Sequence, residues 1–523
     1  MTDTGADAAI LRAGFVDVGR QFAETARLNP QQPALVDGGR TVTYAELAHR
    51  VGRLAAVMQS AGVGHGERVA LLARNCAAYL ETELAAATVG AVSVNLNWRF
   101  STEELRHGLE LTRPRFVVAG PDLVDALGAA GSTPDLVIGP DYEAALARVR
   151  AAPAPVPVGP EDGLVIIFTS GTTGLPKGAV ISHRAMLCRA LIFASELRVP
   201  RNDTFVAWAP LFHMGANDFA LATLLRGGRV VVVDGYQPGP IIRAIERFRV
   251  SYLIAIPGMV EDFVSELRAS GVRPQPVGVV GAMADLVPRS VIADVTTLLN
   301  APYLNTFGST ETGMPPASAN VIPVGEAPVD LPKRQSGFCE VRLVDADGCD
   351  VPDGEPGECA IRGPSLFSGY WANDAANREA FRDGWFHMGD AFRRRPDGLL
   401  DFVDRVKYMI KSGGENIYPA EIERHVLSDP RILDAAVVRR ADPRWGEVPV
   451  LFAASADPEL TTDAVLDMCR GRIAGYKLPK EVHFIDLDQL PRSVSGKIQR
   501  HVLEQRLKDG RAGSRLPPQP ADC

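Results

Sequence analysis

The sequence has little that would cross-link a fold or hold a structural metal ion. Its seven cysteines are scattered along 523 residues without a C-x-x-C pair, and no histidines accompany them at zinc-binding spacing. An odd number of cysteines without a regular framework is typical of reduced thiols. We therefore expect a cytoplasmic protein that contains neither structural disulfides nor zinc.

Long apolar runs and an excess of basic charge are also missing. No apolar stretch approaches the roughly 20 residues that cross a bilayer, and residues 1–7 lack the basic and apolar regions of a signal peptide. Acidic residues (63) outnumber basic ones (55), so the net charge of −8 provides no footprint for nucleic acid. We expect no integral membrane segment and no nucleic-acid partner, and we leave homodimer formation open.

The chain is long enough for at least two domains. It exceeds the size of a single hydrophobic core, and its 46% apolar and 23% charged residues are ordinary for a globular protein. Strand-like and helical segments alternate through the first half, as is typical of mostly parallel sheets. Residues 335–363 contain short strand-like runs between Gly and Asp turns, which predicts a β subdomain.

Local patterns predict several individual elements. Residues 34–44 form two short β-prone runs around an Asp-Gly-Gly turn, a pattern typical of a hairpin. Residues 44–60 carry apolar side chains at helical spacing, which predicts a helix that faces the core. The apolar runs at 164–168 and 206–213 predict two strands.

A loop rich in glycine and hydroxyl groups follows the run at 164–168. Its glycines can bring backbone N–H groups close to a ligand, because glycine adopts conformations that other residues avoid. Its hydroxyls and single lysine add donors and a positive charge, so the loop is suited to phosphate oxygens, although it lacks Walker A spacing. An ordinary surface loop is the alternative. The candidate residues are Thr169, Ser170, Gly171, Thr172, Thr173 and Lys177.

A second loop, at residues 305–313, combines Gly, Ser and Thr with a single carboxylate. Its sequence is NTFGSTETG, and Glu311 is the carboxylate. Since Mg²⁺ usually takes one or two carboxylates together with substrate oxygens, Glu311 is a candidate metal ligand. Residues 384–390 (GWFHMGD) end on Asp390, which follows a glycine and is suited to accept hydrogen bonds from ribose hydroxyls.

Two further motifs lie in the last quarter of the chain. Residues 404–423 contain Pro419 followed by two glutamates, a composition that predicts the first turn of a helix. Residues 490–500 carry Lys497 on a basic loop, directly after a glycine.

Taken together, these motifs resemble the core motifs of the adenylate-forming superfamily, which contains acyl- and aryl-CoA ligases, luciferase and adenylation domains of nonribosomal peptide synthetases. The resemblance covers residues 30–505, in the order and spacing of that family. It implies an α/β fold, with a large N-terminal domain of mixed sheets flanked by helices, a β subdomain and a small mobile α+β C-terminal domain. The expected limits are 1–404, a hinge at 405–407, and 408–507, with a disordered tail at 508–523.

The resemblance also implies an acid:CoA ligase that uses ATP, Mg²⁺ and coenzyme A. The acid would attack the α-phosphate of ATP to form acyl-AMP and pyrophosphate, and the CoA thiolate would then displace AMP. Two alternatives stay open. The protein could work mainly on a supplied acyl-AMP, or it could load a separate carrier protein.

Site residues carry over from the family motif by motif. Glu311 would bind Mg²⁺, the first loop from Thr169 onward would hold the β- and γ-phosphates, and Lys497 would neutralise charge during adenylation. The expected nucleotide residues are Phe307, Gly308, Ser309, Thr310, Asp390 and Arg405. The hinge residue Lys407, together with Gly413, Gly414 and Trp445, is expected to serve the CoA half-reaction; for Trp445 an ordinary half-buried tryptophan is the alternative.

His213 matches a family position that gates the carboxylate site, and a structural histidine is the alternative. The other candidates for the acid pocket are Met214, Asn217, Asp218, Met259, Gly281, Ala282, Met283 and Met314. Three positions depart from the family pattern: Phe307 replaces a tyrosine, Met388 a threonine, and Gly281-Ala282-Met283 a Gly-Gly-Ala turn. These departures motivate the hypothesis of weak adenylation, against which family drift is the alternative.

Overall fold

A computed structural model of the protein describes residues 13–150, 152–169, 175–256, 258–318, 320–412, 415–492 and 498–511. Contacts divide the chain into two units, Met1–Val341 with Ile361–Phe386, and Arg342–Ala360 with His387–Cys523. The domain limits at 404 and 407 and the tail stay predictions.

Helices and strands alternate along most of the first unit. Its helices are α1 (Val18–Leu28), α2 (Tyr44–Ser60), α3 (Ala77–Thr88), α4 (Thr102–Thr112), α5 (Val124–Ala129), α6 (Pro140–Arg148), α7 (His183–Glu196), α8 (Met214–Leu225), α9 (Pro238–Arg247), α10 (Val260–Ser270), α11 (Arg289–Leu299) and α12 (Asp374–Ala380). The strands up to residue 394 follow, of which β17, β18 and β20 lie mostly in the second unit. They are β1 (Pro33–Asp37), β2 (Arg40–Thr43), β3 (Arg68–Leu72), β4 (Val92–Asn95), β5 (Phe116–Ala119), β6 (Leu136–Val137), β7 (Gly163–Thr169), β8 (Lys177–Ser182), β9 (Thr204–Ala207), β10 (Arg229–Val232), β11 (Val250–Leu253), β12 (Val277–Val280), β13 (Tyr303–Leu304), β14 (Phe307–Ser309), β15 (Gly313–Ala317), β16 (Val321–Ile322), β17 (Glu340–Val344), β18 (Pro356–Arg362), β19 (Phe381–Arg382) and β20 (Trp385–Arg394).

Two large sheets organise the first unit. One has six strands in the order β6-β5-β3-β4-β7-β8, and the other has eight in the order β16-β13-β12-β11-β9-β10-β1-β2. Neighbouring strands are parallel except at the edges, where β8, β2 and β16 run antiparallel to their partners. The predicted class of mostly parallel sheets flanked by helices is confirmed.

Local sequence patterns explain several of these elements. The hairpin predicted at 34–44 is formed by β1 and β2, with Asp37 paired to Arg40 across the two-glycine turn. Helix α2 has the bounds expected from its periodicity, and Thr43 and Glu46 cap its start by bonding each other's backbone N–H, at 2.7 and 3.2 Å. The predicted buried strand at 164–168 lies within β7.

The strand predicted at 206–213 is wrong in extent, because β9 ends at Ala207. Beyond that point the backbone bonds to a side chain instead of a neighbouring strand. The amide of Asn75 donates to the carbonyls of Ala207 (3.1 Å) and Ala209 (2.8 Å), and its oxygen accepts from the N–H of Leu211 (2.9 Å). Pro210 within this segment has no N–H to contribute to a ladder.

Helix α3 is buried on every side and contacts strands of both sheets. It nevertheless carries two carboxylates, Glu81 and Glu83, which are 1% and 3% exposed. Glu81 accepts from Arg50 (2.6 Å) and from the hydroxyl of Tyr142 (2.7 Å). Buried charge is tolerated when it is paired in this way.

Glu83 is held by amides instead of a cation. Its Oε1 accepts from Asn95 (2.6 Å) and Asn217 (2.5 Å), so that it connects α3 with β4 and α8. Burial raises the pKa of Glu83 to about 7, and the nearby Asp218 acts in the same direction.

The second unit is a compact α+β body. It contains β21 (Leu400–Arg405), β22 (Ile410–Ser412), β23 (Glu415–Ile417), β24 (Ile432–Asp442), β25 (Gly446–Ser455) and β26 (Glu481–Phe484), with α13 (Pro419–Val426), α14 (Thr462–Asp467) and α15 (Arg500–Lys508). Five of these strands form one sheet in the order β23-β22-β25-β24, with β26 also beside β25. Pro419 begins α13 as predicted. Across the ranges that the structure describes in both units, no helix has the length and hydropathy of a membrane span.

Because Glu83 is buried, we expect the free energy of unfolding to depend on pH, and we expect Glu83→Gln to remove this dependence. Folding raises the pKa of Glu83. The stabilising contribution of its protonated carboxyl group is therefore complete below the unfolded value of 4.5 and is lost as the pH rises through about 7. Urea denaturation at pH 5 and pH 8 should show that the wild type loses about 3 kcal/mol of unfolding free energy relative to the variant. The exposed Glu110→Gln serves as the control, and equal pH dependence of wild type and Glu83→Gln would contradict the prediction.

Candidate active site

The two ends of the first predicted loop lie side by side. Strands β7 and β8 are antiparallel, and Thr169 at the end of β7 is paired with Lys177 at the start of β8. The other four candidates on this loop, Ser170, Gly171, Thr172 and Thr173, lie outside the described residues. Thr169 and Lys177 therefore lie side by side, and their binding of phosphate stays a prediction.

Lys177 belongs to a cluster with Tyr370 and Glu311. Its ammonium group lies 5.1 Å from the centroid of the Tyr370 ring, close enough for attraction to the ring face. The Tyr370 hydroxyl donates to Oε1 of Glu311 at 2.9 Å. Within the ranges that the structure describes, Oε2 of Glu311 makes no hydrogen bond or ion pair, so one carboxylate oxygen is oriented and the other is open.

Tyr370 was missed by the sequence analysis. Its segment runs along β8, where the N–H of Val180 donates to Gly369 (3.0 Å) and the N–H of Trp371 donates to Gly178 (2.8 Å). This pairing brings the tyrosine to the end of β8 at which Lys177 lies. A glycine followed by two aromatic residues is the only local signal, and it is too common to identify a site.

Glu311 lies in the turn between β14 and β15, two short antiparallel strands. The turn is closed by Ser309 and Thr312: the Ser309 N–H donates to the Thr312 hydroxyl at 3.0 Å, and the Thr312 N–H donates to the Ser309 carbonyl at 3.2 Å. The predicted nucleotide residues Phe307, Gly308, Ser309 and Thr310 precede Glu311 in this hairpin. Phe307 is half-buried.

The segment 281–283 bends around the hydroxyl group of Tyr303. This hydroxyl donates to the carbonyl of Ala282 at 3.1 Å and lies 3.4 Å from its N–H. Gly281 has a φ of +100°, and a Cβ atom there would overlap the Tyr303 ring. Met283 has a left-handed φ of +48°, which is unusual for a bulky residue.

The remaining apolar candidates occupy different elements of the first unit. Met314 lies buried in β15, and the half-buried Met259 precedes α10. A small apolar cavity beside Met259 is also lined by Trp208, Tyr236 and Phe263. The aromatic lining was not identified from sequence, because these residues are far apart in the chain.

His213 is the residue directly before α8 and is half-buried, with its ring 4.5 Å from that of Phe212. Met214 is the first residue of the helix and is likewise half-buried. The Asn75 bonds described above hold the segment leading to His213, so the start of α8 is positioned by a side chain from before α3.

Asn217 and Asp218 lie in the core, 0% and 4% exposed. Asn217 donates to Glu83, and Asp218 accepts from Arg189 at 2.9 Å. Burial raises the pKa of Asp218, and Arg189 opposes this rise. Contact of either residue with an oxygenated acid stays a prediction, and their burial gives it no support.

In the second unit, Asp390 and Arg405 face each other across β20 and β21. Oδ1 of Asp390 lies 3.0 Å from Nε of Arg405; the carboxylate is 2% exposed and the guanidinium side chain 40%. The neighbouring Asp404 caps α13, because it accepts the N–H of Ala420 at 2.7 Å. The two predicted ribose ligands are therefore adjacent.

The predicted CoA residues are described only in part. Lys407 lies in a 3₁₀ turn, with its ammonium group 5.0 Å from the Tyr408 ring. Trp445 lies at the tip of the β24–β25 hairpin and is 41% exposed, with the Arg444 guanidinium 4.6 Å from its ring. Gly413, Gly414 and Lys497 lie outside the described residues.

Comparisons with known proteins cover nearly the whole chain. Residues 22–371 match the family model described as AMP-binding enzyme, and residues 421–497 match its C-terminal domain. A feruloyl-CoA synthase from Amycolatopsis is 36% identical over 92% of this chain and 97% of its own length. An indoleacetate–CoA ligase from Aromatoleum aromaticum is also 36% identical, over 92% of this chain and 96% of its own.

A solved structure with the same fold is the O-succinylbenzoate coenzyme A synthetase MenE from Bacillus subtilis in complex with ATP and magnesium ion. It has a TM-score of 0.78 and 25% identity, and the match covers 92% of this chain and 98% of that one. With both family models matching in order, and with relatives at 36% identity over most of the sequence, the chain belongs to the AMP-binding enzyme family, the adenylate-forming superfamily.

Proposed function

We propose that this AMP-binding enzyme is an acid:CoA ligase. It activates a carboxylic acid with ATP, releasing pyrophosphate and forming acyl-AMP, and then transfers the acyl group to coenzyme A with loss of AMP. The observation that carries the proposal is the cluster of Lys177, Tyr370 and Glu311 beside the first loop. It supplies one cation for phosphate oxygens and one oriented carboxylate for a metal.

Both halves of this cluster suit a metal-bound nucleotide. Glu311 offers a single carboxylate with one open oxygen, and Mg²⁺ in nucleotide sites commonly takes one or two carboxylates along with substrate oxygens. When bound, the ion would neutralise charge on the phosphate oxygens. Lys177 and Thr169, with Ser170, Gly171, Thr172 and Thr173, would bind the β- and γ-phosphates.

The second unit would contribute ribose binding and the exchange between half-reactions. The buried carboxylate of Asp390, held by Arg405, is suited to accept hydrogen bonds from vicinal hydroxyls. Lys497 would oppose the charge that accumulates when one anion attacks another, an effect worth several kcal/mol at a transition state. In the same proposal, the hinge is Lys407. The path for the pantetheine arm would be formed by Gly413, Gly414 and Trp445.

The two alternative activities are not favoured. Relatives at 36% identity are named as a CoA synthase and a CoA ligase, which are complete activities. Of the three departures, Phe307 keeps an aromatic face for adenine, and the turn at 281–283 keeps its first glycine, which Tyr303 requires. Family drift therefore explains the departures with fewer assumptions than weak adenylation does.

We infer further that the acid is an aryl or indolyl carboxylic acid. The feruloyl and indoleacetate relatives support this class by their names. The cavity beside Met259, lined by Trp208, Tyr236 and Phe263, has a volume of about 10 Å³, room for about one water molecule, so it adds no support for a ring of this size. Adaptable apolar surface would come from Met214, Met283 and Met314. His213 would lie at the carboxylate end of the pocket and gate it. A cytoplasmic location and a homodimer stay predictions.

A pyrophosphate-release screen tests this function directly. Fatty, aryl, indolyl and polycyclic acids would each be mixed with the protein, ATP and Mg²⁺, with CoA consumption followed in parallel. We expect aryl or indolyl acids to release pyrophosphate and to consume free CoA in equal amounts. Pyrophosphate release without CoA consumption would point to a carrier protein as acceptor, and CoA consumption only with synthetic acyl-AMP would restore the weak-adenylation alternative.

Tyr370→Phe tests the cluster. The variant keeps the ring that faces Lys177 but removes the donor to Glu311, so the carboxylate loses its orientation. We expect the Mg²⁺ concentration for half-maximal pyrophosphate release to rise about tenfold, as is usual when a ligand loses its hydrogen-bonded support. Tyr142→Phe, which removes a similar bond to the buried Glu81, serves as the control. An unchanged Mg²⁺ requirement in Tyr370→Phe would contradict the assignment.

Trp445→Ala tests the assignment to the CoA half-reaction. If the exposed indole packs on the aliphatic arm of CoA, its removal should raise the KM for CoA about tenfold, since such burial is worth about 1–2 kcal/mol. Acid-dependent pyrophosphate release without CoA should stay the same. Tyr476→Ala is the matched control, because Tyr476 is also 41% exposed in this unit. A KM for CoA that does not change would exclude the contact.

A further inference from the structure

Arg189 is a buried arginine of α7 that the proposed reaction does not yet use. Its side chain is 3% exposed, although a guanidinium group is costly to remove from water unless it is fully bonded. It has three acceptors on three separate segments. Nη1 donates to Oδ2 of Asp218 (2.9 Å), Nη2 to the carbonyl of Thr310 (3.0 Å), and Nε to the carbonyl of Ser365 (3.0 Å).

Two of these acceptors lie in the segments that set the position of Glu311. Thr310 is the residue directly before Glu311. Ser365 lies in the segment that continues to Phe367, whose N–H donates to the carbonyl of Glu311 at 2.8 Å, and to Tyr370, which bonds the carboxylate. The guanidinium group of Arg189 therefore bonds both segments that hold Glu311 in place.

The hairpin of Glu311 is shaped to accept the arginine. A Cβ atom on Gly313 would come within 3.0 Å of Nε and 3.1 Å of Cγ of Arg189, so the arginine packs closely against this glycine and would have to shift for a larger residue. The φ of Gly313 is +76°, which independently favours glycine. The third acceptor, Asp218, is itself buried in α8 and bonds the guanidinium group through Nη1.

We propose that Arg189 is the positioning residue for Glu311, holding the carboxylate in the orientation that the metal-bound nucleotide requires. This inference rests on the proposed function of Glu311 as the Mg²⁺ ligand. Arg189 contacts neither substrate nor metal in this role; it acts through Thr310 and Ser365. A lysine cannot replace it, because a single ammonium group cannot reproduce three donors spread over a rigid plane.

The test separates positioning from general stability. Calorimetric binding of α,β-methylene-ATP, a non-reacting analogue, would be measured with Mg²⁺ and with EDTA. We expect Arg189→Lys to weaken Mg²⁺-dependent binding about tenfold while metal-free binding stays the same. Arg50→Lys is the matched control, because Arg50 is also largely buried and paired with a buried glutamate.

A double-mutant cycle identifies the path of the effect. If Arg189 acts through Glu311, then Arg189→Lys should cause no additional loss of Mg²⁺-dependent binding in a Glu311→Gln background. An equal loss in both backgrounds would overturn the proposal, as would a loss of the same size with EDTA. Asp218→Asn, which keeps the arginine but removes its anion, provides a second variant and should weaken Mg²⁺-dependent binding in the same selective way.

The behaviour of the wild type shows whether a negative result rejects only the role of Arg189 or the proposed function as well. If the wild type shows Mg²⁺-dependent binding and pyrophosphate release, and Arg189→Lys behaves in the same way, only the role of Arg189 is rejected. If the wild type neither binds the analogue in a Mg²⁺-dependent way nor releases pyrophosphate with any acid class, the ligase function is rejected together with the role of Arg189.

Discussion

The arrangement of the first unit depends on polar side chains buried where helix α3 meets both large sheets. Buried polar groups cost free energy unless they are hydrogen-bonded, so each one fixes the position of its partner. Asn75, just before α3, bonds the chain that leaves β9, and Glu83 within α3 bonds Asn95 and Asn217. Apolar packing alone would hold these elements together without specifying where α8 begins.

A continuous set of bonds extends from this core to the candidate metal ligand. Asn217 connects Glu83 to α8, and the next residue, Asp218, bonds Arg189. Arg189 in turn bonds the carbonyl directly before Glu311. The carboxylate is therefore positioned by groups that lie in the protein interior, far from solvent screening. Such an arrangement suits a site whose chemistry depends mainly on orientation and charge.

Short-range patterns in the sequence predicted the parts of the fold that short-range physics determines. The periodicity of residues 44–60, the turn between β1 and β2 and the apolar run of β7 each correspond to a described element. The motifs also brought forward Lys177 and Glu311, which cluster with Tyr370 in the first unit, and Asp390 and Arg405, which face each other in the second unit. Tyr370 and Arg189 could not be found in this way, because their partners are distant in sequence. Glu311 lies 59 residues from Tyr370, and Asp218 and Thr310 lie 29 and 121 residues from Arg189. The strand predicted at 206–213 was too long for the same reason, since the competing partner, Asn75, lies far upstream.

The geometry of the turn at 281–283 also explains which departure from the family pattern the fold can accept. Gly281 cannot change, because a side chain there would overlap Tyr303. At Ala282 the backbone N–H and carbonyl both face the Tyr303 hydroxyl, and this bonding does not depend on the side chain. Met283 then carries the left-handed conformation that glycine or asparagine would adopt more readily. Strain of this kind persists only where the surroundings enforce it, and here Tyr303 and the fixed Gly281 do so. The turn therefore accommodates Ala282 and Met283 while Tyr303 and Gly281 determine its shape, so these two departures from the family pattern do not require a different backbone bonding.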